Sequence, residues 1–302
     1  MRVIFMGTPE FAVPSLKLLY ETQEIICVVT QPDRPKGRGQ KLQPSPVKIF
    51  AQEHNLPILQ PPKVKSPEIV AELKKLRADL IVVVAFGQIL SQEILDLPKF
   101  GCINVHASLL PKYRGAAPVE WCLINGEKVT GVTTMKMNAG LDTGDMLLKT
   151  EVPIIDDMIL PELREKLMTA GANLLIETIK NLETIQPVKQ DDSLSNYAPM
   201  LKKDTGKIDF NKPAREIHNL VRGLYGGAFT VFNNEKYKIW RTKISDEKLT
   251  AGEVKIIGKK FLIGTGAGTL EILEIQAPNS KKVTAADFIN GHKSEALKWT
   301  SE

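Results

Sequence analysis

A change of hydropathy period near residue 200 constrains the fold of this chain more than any other feature of its sequence. Before it, short apolar runs at 3–5, 25–30, 80–85 and 102–105 alternate with stretches of helical spacing or helix-forming composition at 13–20, 47–54, 66–76 and 119–125. Runs of that length without polar alternation suit strands buried on both faces. Strand and helix in alternation imply right-handed crossovers and a mostly parallel sheet. A long helix over 160–182 closes the unit, so the first domain is α/β and Rossmann-like.

The stretch 186–199 is rich in Gln, Asp, Ser and Pro, with Leu194 the only aliphatic residue between Val188 and Ala198, and reads as a connection. Beyond it the spacing of Ile217, Leu220, Val221 and Leu224, with Pro213 just ahead, predicts one helix over 214–224. Strand-like runs at 229–232, 237–244, 253–257, 261–263 and 269–275 follow, punctuated by Asn233-Asn234, the turn 258–260 and the glycine-rich 264–268. They spell a small antiparallel, OB-like β-barrel. The expected division is a catalytic domain at 1–189, a linker at 190–206 and a barrel domain at 207–302. Barrels of this size bind oligonucleotides or simply brace a neighbouring domain.

Composition and charge narrow the function classes. The longest apolar run, 80–86, is far below the roughly 18 residues of a membrane-spanning helix. The first eleven residues carry Gly7-Thr8-Pro9-Glu10 in place of an apolar leader core. Cys27, Cys102 and Cys122 are odd in number and lack C-x-x-C spacing, which suits a reducing compartment. A soluble, cytoplasmic, membrane-free protein is expected. Residues 202–302 hold 18 Lys and Arg against 12 Asp and Glu, a net +6, whereas residues 1–201 hold 22 against 23 and sum to −1. That asymmetry fits a polyanionic partner or a merely lysine-rich surface.

Three segments of the first domain could carry chemistry. Gly7-Thr8-Pro9-Glu10-Phe11 stands where a dinucleotide-binding chain has G-x-G-x-x-G, but it has one glycine and a proline that deletes an N–H. A phosphate-cradling P-loop motif is absent from the sequence as well. The second segment runs from Gln31 to Lys41 and includes Arg34, Lys36, Arg38 and Lys41, with Lys48 beyond and Asp33 the single acid. It reads as an exposed, mobile loop overhanging the carboxyl ends of the strands, either inert or suited to gripping a phosphate backbone. The third is Asn104-Val105-His106-Ala107-Ser108-Leu109-Leu110-Pro111, followed by Gly140-Leu141-Asp142-Thr143-Gly144-Asp145. Asn104 and His106 are two apart on one strand and share a face. An amide donor, an imidazole and a nearby carboxylate can hold a developing oxyanion and move protons. Ser108 lacks the G-x-S-x-G elbow of a nucleophile. The four histidines, His54, His106, His218 and His292, have no metal-ligand spacing, and no metal is expected.

Together with Phe5-Met6-Gly7-Thr8-Pro9, Thr30-Gln31-Pro32-Asp33-Arg34-Pro35, Pro44-Ser45-Pro46-Val47-Lys48, Tyr113-Arg114-Gly115-Ala116-Ala117-Pro118, Thr130-Gly131-Val132-Thr133 and Ala285-Ala286-Asp287-Phe288, these motifs make the chain resemble, nearly end to end, the formyltransferases that use 10-formyltetrahydrofolate. Within that superfamily it is most similar to the branch that formylates methionyl initiator tRNA. The resemblance implies catalysis by Asn104, His106 and Asp142. It implies a folate slot walled by Phe86, Gly87, Gln88, Ile89 and Leu90 and by Ser108, Leu109, Leu110 and Pro111, with the pterin against backbone near residues 138–142. It also implies tRNA contact through Arg34, Lys36, Arg38 and Lys41 and through the C-terminal barrel, in a monomer. Tyr225-Gly226-Gly227 departs from the family, which places an aromatic flanked by prolines there; a looser turn is expected. A sugar-nucleotide formyltransferase would keep the same catalytic trio, and a non-catalytic RNA-binding protein could keep the same fold.

Overall fold

A computed structural model of the chain describes residues 1–36 and 41–291. Contacts divide the chain into two compact units. The first comprises Met1–Gly115, Val129–Pro153 and Arg164–Ala198; the second comprises Ala116–Lys128, Ile154–Leu163 and the chain from Pro199 onward.

The first unit is built on a seven-stranded sheet. Its order is Met146–Pro153, Val129–Lys136, Cys102–His106, Leu80–Val84, Arg2–Gly7, Glu24–Val29 and Ile58–Leu59. The last five are mutually parallel, and Val129–Lys136 and Met146–Pro153 add an antiparallel edge. All of Leu80–Val84 is buried, as a strand covered on both faces requires. Helices Val13–Thr22, Pro46–Glu53 and Pro67–Lys75 begin with proline in their first turn, where its missing N–H costs nothing. Ser45 caps the second of these by accepting the Lys48 N–H at 3.0 Å. The two antiparallel strands were not legible as strands, because Thr130, Thr133, Thr134, Lys149 and Thr150 break their apolar run. Buried Thr134 satisfies its hydroxyl against Thr178 at 2.8 Å, so polar residues sit inside this edge of the sheet.

All three cysteines are buried and unbridged. Burial, with a smaller contribution from Glu72, pushes the Cys27 thiol up to about 12; burial and Asp96 do the same for Cys102. At pH 8 only about one in 10⁴ of such thiols is the reactive thiolate. An aromatic disulfide reagent should therefore label less than one thiol per chain within minutes in the native protein, and all three in guanidinium. Rapid native labelling of Cys27 or Cys102 would contradict the burial described here.

The second unit carries an antiparallel sheet ordered Phe229–Phe232, Glu235–Ser245, Thr269–Gln276, Lys260–Gly264 and Val254–Ile257, with Val283–Thr284 paired to Thr269–Gln276. Asn233 and Asn234, at φ +49° and +61°, make the two-residue turn of the first hairpin. Helix Ala214–Gly223 turns Ile217 and Val221 into a core with Ile239, Phe261, Ile272 and Phe288. Helix Pro118–Ile124 packs on it where Gly223 meets Ile124. The Tyr225-Gly226-Gly227 turn is closed by aromatic packing in place of prolines. The Trp240 ring lies where a Gly226 side chain would be, and Tyr225 meets that ring edge-on at 5.2 Å.

His218 on this helix is 3% exposed. Its Nε2–H donates to the Asp156 carbonyl at 3.2 Å, so the bare Nδ1 accepts from the Thr242 hydroxyl at 3.0 Å. Burial holds its pKa below the ordinary 6.5, outweighing the Asp156 hydrogen bond and the Asp157 carboxylate 3.7 Å away; Arg222 and Arg215 push the same way as burial. The unfolded chain therefore takes up a proton near pH 6.5 that the folded chain refuses. Stability is full above that pH and falls as pH drops below it, at up to about 1.4 kcal/mol per pH unit. Urea melts between pH 7.5 and 5 should show this loss, and His218→Gln should flatten it. An unchanged pH slope in the variant would assign the loss elsewhere.

Candidate active site

Strand Cys102–His106 projects Asn104 and His106 to one side, because alternate residues of a strand share a face. Asn104 is half-buried and, among the described residues, its side-chain amide makes no hydrogen bond. His106 is buried at 6% exposure, and its Nε2 lies 2.9 Å from the Tyr113 carbonyl. A carbonyl only accepts, so Nε2 carries the hydrogen. The other ring nitrogen, Nδ1, faces Asp142 Oδ2 at 3.7 Å. The backbone has thus chosen the tautomer: a proton taken up by this imidazole goes to Nδ1, beside a carboxylate.

Asp142 is held as firmly as the histidine. Its Oδ2 accepts the Gly115 N–H at 2.8 Å, and its backbone sits at φ +53°. Ala85 and Tyr113 also adopt positive φ, at +47° and +60°. Left-handed backbone is uncommon outside glycine, and these three residues lie in the segments that follow strands Leu80–Val84, Cys102–His106 and Val129–Lys136. In the Asp142 turn, Asn138 Oδ1 accepts from the Gly140 N–H at 3.0 Å and the Thr143 hydroxyl at 2.9 Å. Gly144 is required there by space, since a Cβ would collide with the Lys136 carbonyl.

The polar stretch 186–199, expected as a bare connection, supplies much of this scaffold. Gln190 is buried and bonds the Asp142 and Gly144 carbonyls; Asn196 Oδ1 accepts the Tyr113 N–H, and the Asn196 carbonyl accepts the Arg114 N–H at 3.0 Å. Tyr197–Ala198 pairs in parallel with Arg114–Gly115. Sequence reasoning missed these residues, because nothing in a Gln-, Asp- and Ser-rich run distinguishes a buried bracket from a solvated link.

The expected folate wall divides by burial. Phe86 and Leu90 belong to the apolar core with Ile4, Met6 and Ile94, so their side chains support the segment from behind. Gln88 is spent on the Val64 N–H and the Pro61 carbonyl. Gly87, at φ +81°, and Ile89, 77% exposed, are what this stretch offers outward. Across residues 108–111, the Ser108 hydroxyl donates to the Lys112 carbonyl at 2.6 Å, which leaves it no nucleophilic role. Thr133 Oγ1 donates to the Ser108 carbonyl and accepts the Leu110 N–H, and Lys149 Nζ bonds the Leu110 carbonyl. Leu109 lies against Gly131, which has no room for a side chain, and Pro111 completes the segment.

The sequence predicts a loop across the basic segment, but two short strands stand within it: Arg34–Lys36 pairs antiparallel with Lys41–Gln43, setting Lys36 opposite Lys41. Arg34 donates to Gln31 at 3.3 Å. Lys48 is withdrawn from the cationic group by an ion pair with Asp33 at 2.6 Å, which holds the Asp33 carboxyl below its usual range together with a Gln60 hydrogen bond. Arg38 lies outside the described residues.

A sequence family described as formyl transferase matches residues 1–179, and one described as formyl transferase, C-terminal domain, matches residues 200–293. The chain is 52% identical over 302 residues to the methionyl-tRNA formyltransferase of Acetivibrio thermocellus, with 97% of each chain covered. It is 50% identical over 303 residues to that of Clostridioides difficile, with 98% of each covered. Among solved structures it resembles an N-formyltransferase from Helicobacter canadensis in complex with folinic acid and dTDP-3-aminofucose, at a TM-score of 0.70, 21% identity and coverage of 94% and 100%. A sugar 3N-formyl transferase solved in the presence of dTDP and 5-N-formyl-THF gives a TM-score of 0.69 at 23% identity, with 93% and 99% covered. At those identities the structural likeness concerns the fold alone.

Proposed function

The chain belongs to the formyl transferase family, and we infer from this that it transfers the formyl group of 10-formyltetrahydrofolate to the α-amine of methionyl initiator tRNA. The product is the N-formylmethionyl-tRNA that starts translation. The observation that carries the chemistry is the neighbourhood of His106: Nε2 is committed to the Tyr113 carbonyl, Nδ1 faces Asp142 at 3.7 Å, and Asn104 on the same strand face has an amide without a hydrogen bond among the described residues.

Folate is a substrate here and supplies the formyl carbonyl. Ile89 and Leu141, 77% and 54% exposed, leave apolar surface that a pteridine can cover, and residues 138–142 offer backbone groups to its polar edge. As the methionine amine attacks, charge gathers on the formyl oxygen. The Asn104 amide donates to that oxygen, in a site where hydrogen bonds are worth more than in water. His106, oriented by Asp142 and assisted by it directly or through water, stabilises the oxyanion and takes the proton of the attacking amine at Nδ1. As the tetrahedral intermediate collapses, the formyl carbon–N10 bond breaks, that proton passes to N10, and tetrahydrofolate leaves. The acid–base pair is preset by the backbone and needs no rotation of the imidazole.

Arg34, Lys36, Arg38 and Lys41 grip the acceptor arm, and the C-terminal barrel, 207–302, with a net charge of +5, forms the second tRNA contact. The protein acts as a monomer in the cytoplasm; none of its described helices is long and apolar enough to cross a membrane. The sugar-nucleotide reading is disfavoured, because relatives at about 50% identity are named for methionyl-tRNA whereas the sugar enzymes share the fold at 21–23%. Parallel assays with charged initiator tRNA and with a dTDP-linked amino sugar decide between them. Formylation of the tRNA alone is expected, and formylation of the sugar alone would overturn the substrate assignment. Replacing Arg34 and Arg38 by alanine should raise KM for tRNA while kcat holds, and should flatten the salt dependence by about one per lost phosphate contact.

A further inference from the structure

We propose that Gln190 is a positioning residue of the reaction: it fixes the Asp142 turn so that the carboxylate faces His106 Nδ1. The inference rests on the reading of Asp142 given above and extends it to a residue outside the catalytic trio.

Gln190 is 5% exposed, and every polar atom of its side chain is used. Nε2 donates one hydrogen to the Asp142 carbonyl at 2.8 Å and the other to the Gly144 carbonyl at 2.7 Å. Oε1 accepts from Arg114 Nε at 3.0 Å. Only a primary amide of this length serves both ends, because two carbonyls need two donors and the guanidinium needs an acceptor. The bracket spans the gap that matters. Arg114 precedes Gly115, whose N–H holds Asp142 Oδ2, and follows Tyr113, whose carbonyl holds His106 Nε2. One side chain therefore ties the segment that orients the imidazole to the turn that carries the carboxylate. The turn needs such a tie, since Asp142 sits in left-handed backbone and relaxation to an ordinary conformation would swing its side chain away. Arg114 is anchored in turn by Asp192 at 2.8 Å.

Gln190→Glu keeps size, shape and the acceptor toward Arg114 but presents oxygen to two carbonyl oxygens. Gln190→Met keeps volume alone, and serves if the glutamate variant does not fold. Both should lower kcat by about 100-fold, the cost of displacing a catalytic group by about 1 Å. KM for folate and for tRNA should move less than about threefold. The decisive reading is a double-mutant cycle with Asp142→Asn. If Gln190 acts through Asp142, the double variant turns over no more slowly than Asp142→Asn alone. Effects that multiply, or a loss confined to KM, would overturn the proposal. Wild-type kcat in Gln190→Glu and Gln190→Met beside a crippled Asp142→Asn would sink the Gln190 role alone. Wild-type kcat in Asp142→Asn would bring down the reading on which it rests.

Discussion

Replacing His106 by alanine is expected to lower kcat for formyl transfer by about 10²–10⁴-fold, the range for removing a positioned general acid–base group. The loss should fall on turnover, with KM for either substrate little changed, because the imidazole is buried at 6% exposure and contributes little surface to binding. The geometry makes a finer forecast through His106→Gln. Glutamine can still donate to the Tyr113 carbonyl, which preserves local structure, but cannot accept a proton beside Asp142. Its turnover should match that of the alanine variant, and thermal melts should show it the better folded of the two. Single-turnover formylation of charged tRNA under saturating folate measures the effect without product release. A variant that binds both substrates and keeps wild-type turnover would mean that His106 is structural.

Asn104→Ala is expected to cost about 100- to 1000-fold in kcat, the usual consequence of losing one oxyanion donor. This residue separates a catalytic from a structural role cleanly. Among the described residues its amide holds nothing else in place, so alanine removes no internal hydrogen bond. Stability should change by less than about 1 kcal/mol, within the range of a half-buried polar truncation without partners. Asn104→Asp makes the complementary test: it keeps the shape but sets a carboxylate against the developing oxyanion, and should be no faster than alanine. Urea melts alongside the kinetics check both halves. A large loss of stability, or turnover within about threefold of wild type, would contradict the donor role.

How far these residues were legible in the sequence follows from what each one depends on. Strand spacing puts Asn104 and His106 on one face and a glycine-flanked turn offers Asp142 as a nearby carboxylate, while the family resemblance is what proposes the three as catalytic; the parallel sheet announced itself through apolar runs such as Leu80–Val84. The antiparallel edge did not, because threonines buried there are satisfied by partners such as Thr178, distant in sequence. The tautomer of His106 was equally hidden, since it is set by one backbone carbonyl seven residues away. Gln190 and Asn196 were invisible for the same reason: they resemble linker residues until the Arg114–Gly115 strand pairs with Tyr197–Ala198 and brings them in. In the sequence Lys48 is one more cation beyond the basic segment, and only the fold reveals its ion pair with Asp33. Local pattern carried the elements and the chemistry; contacts across the chain carried the orientation.

The central claim is that the site formed by Asn104, His106 and Asp142 moves a formyl group from folate to the methionine of initiator tRNA. Its most direct test supplies formyl-labelled 10-formyltetrahydrofolate and charged initiator tRNA to the wild-type chain and to Asn104→Ala, then identifies the labelled amino acid after mild hydrolysis of the ester. The account predicts label on the α-amine of methionine with wild type and its loss by at least about 100-fold with the variant. Unlabelled methionine with wild type, or equal labelling by both proteins, would contradict it.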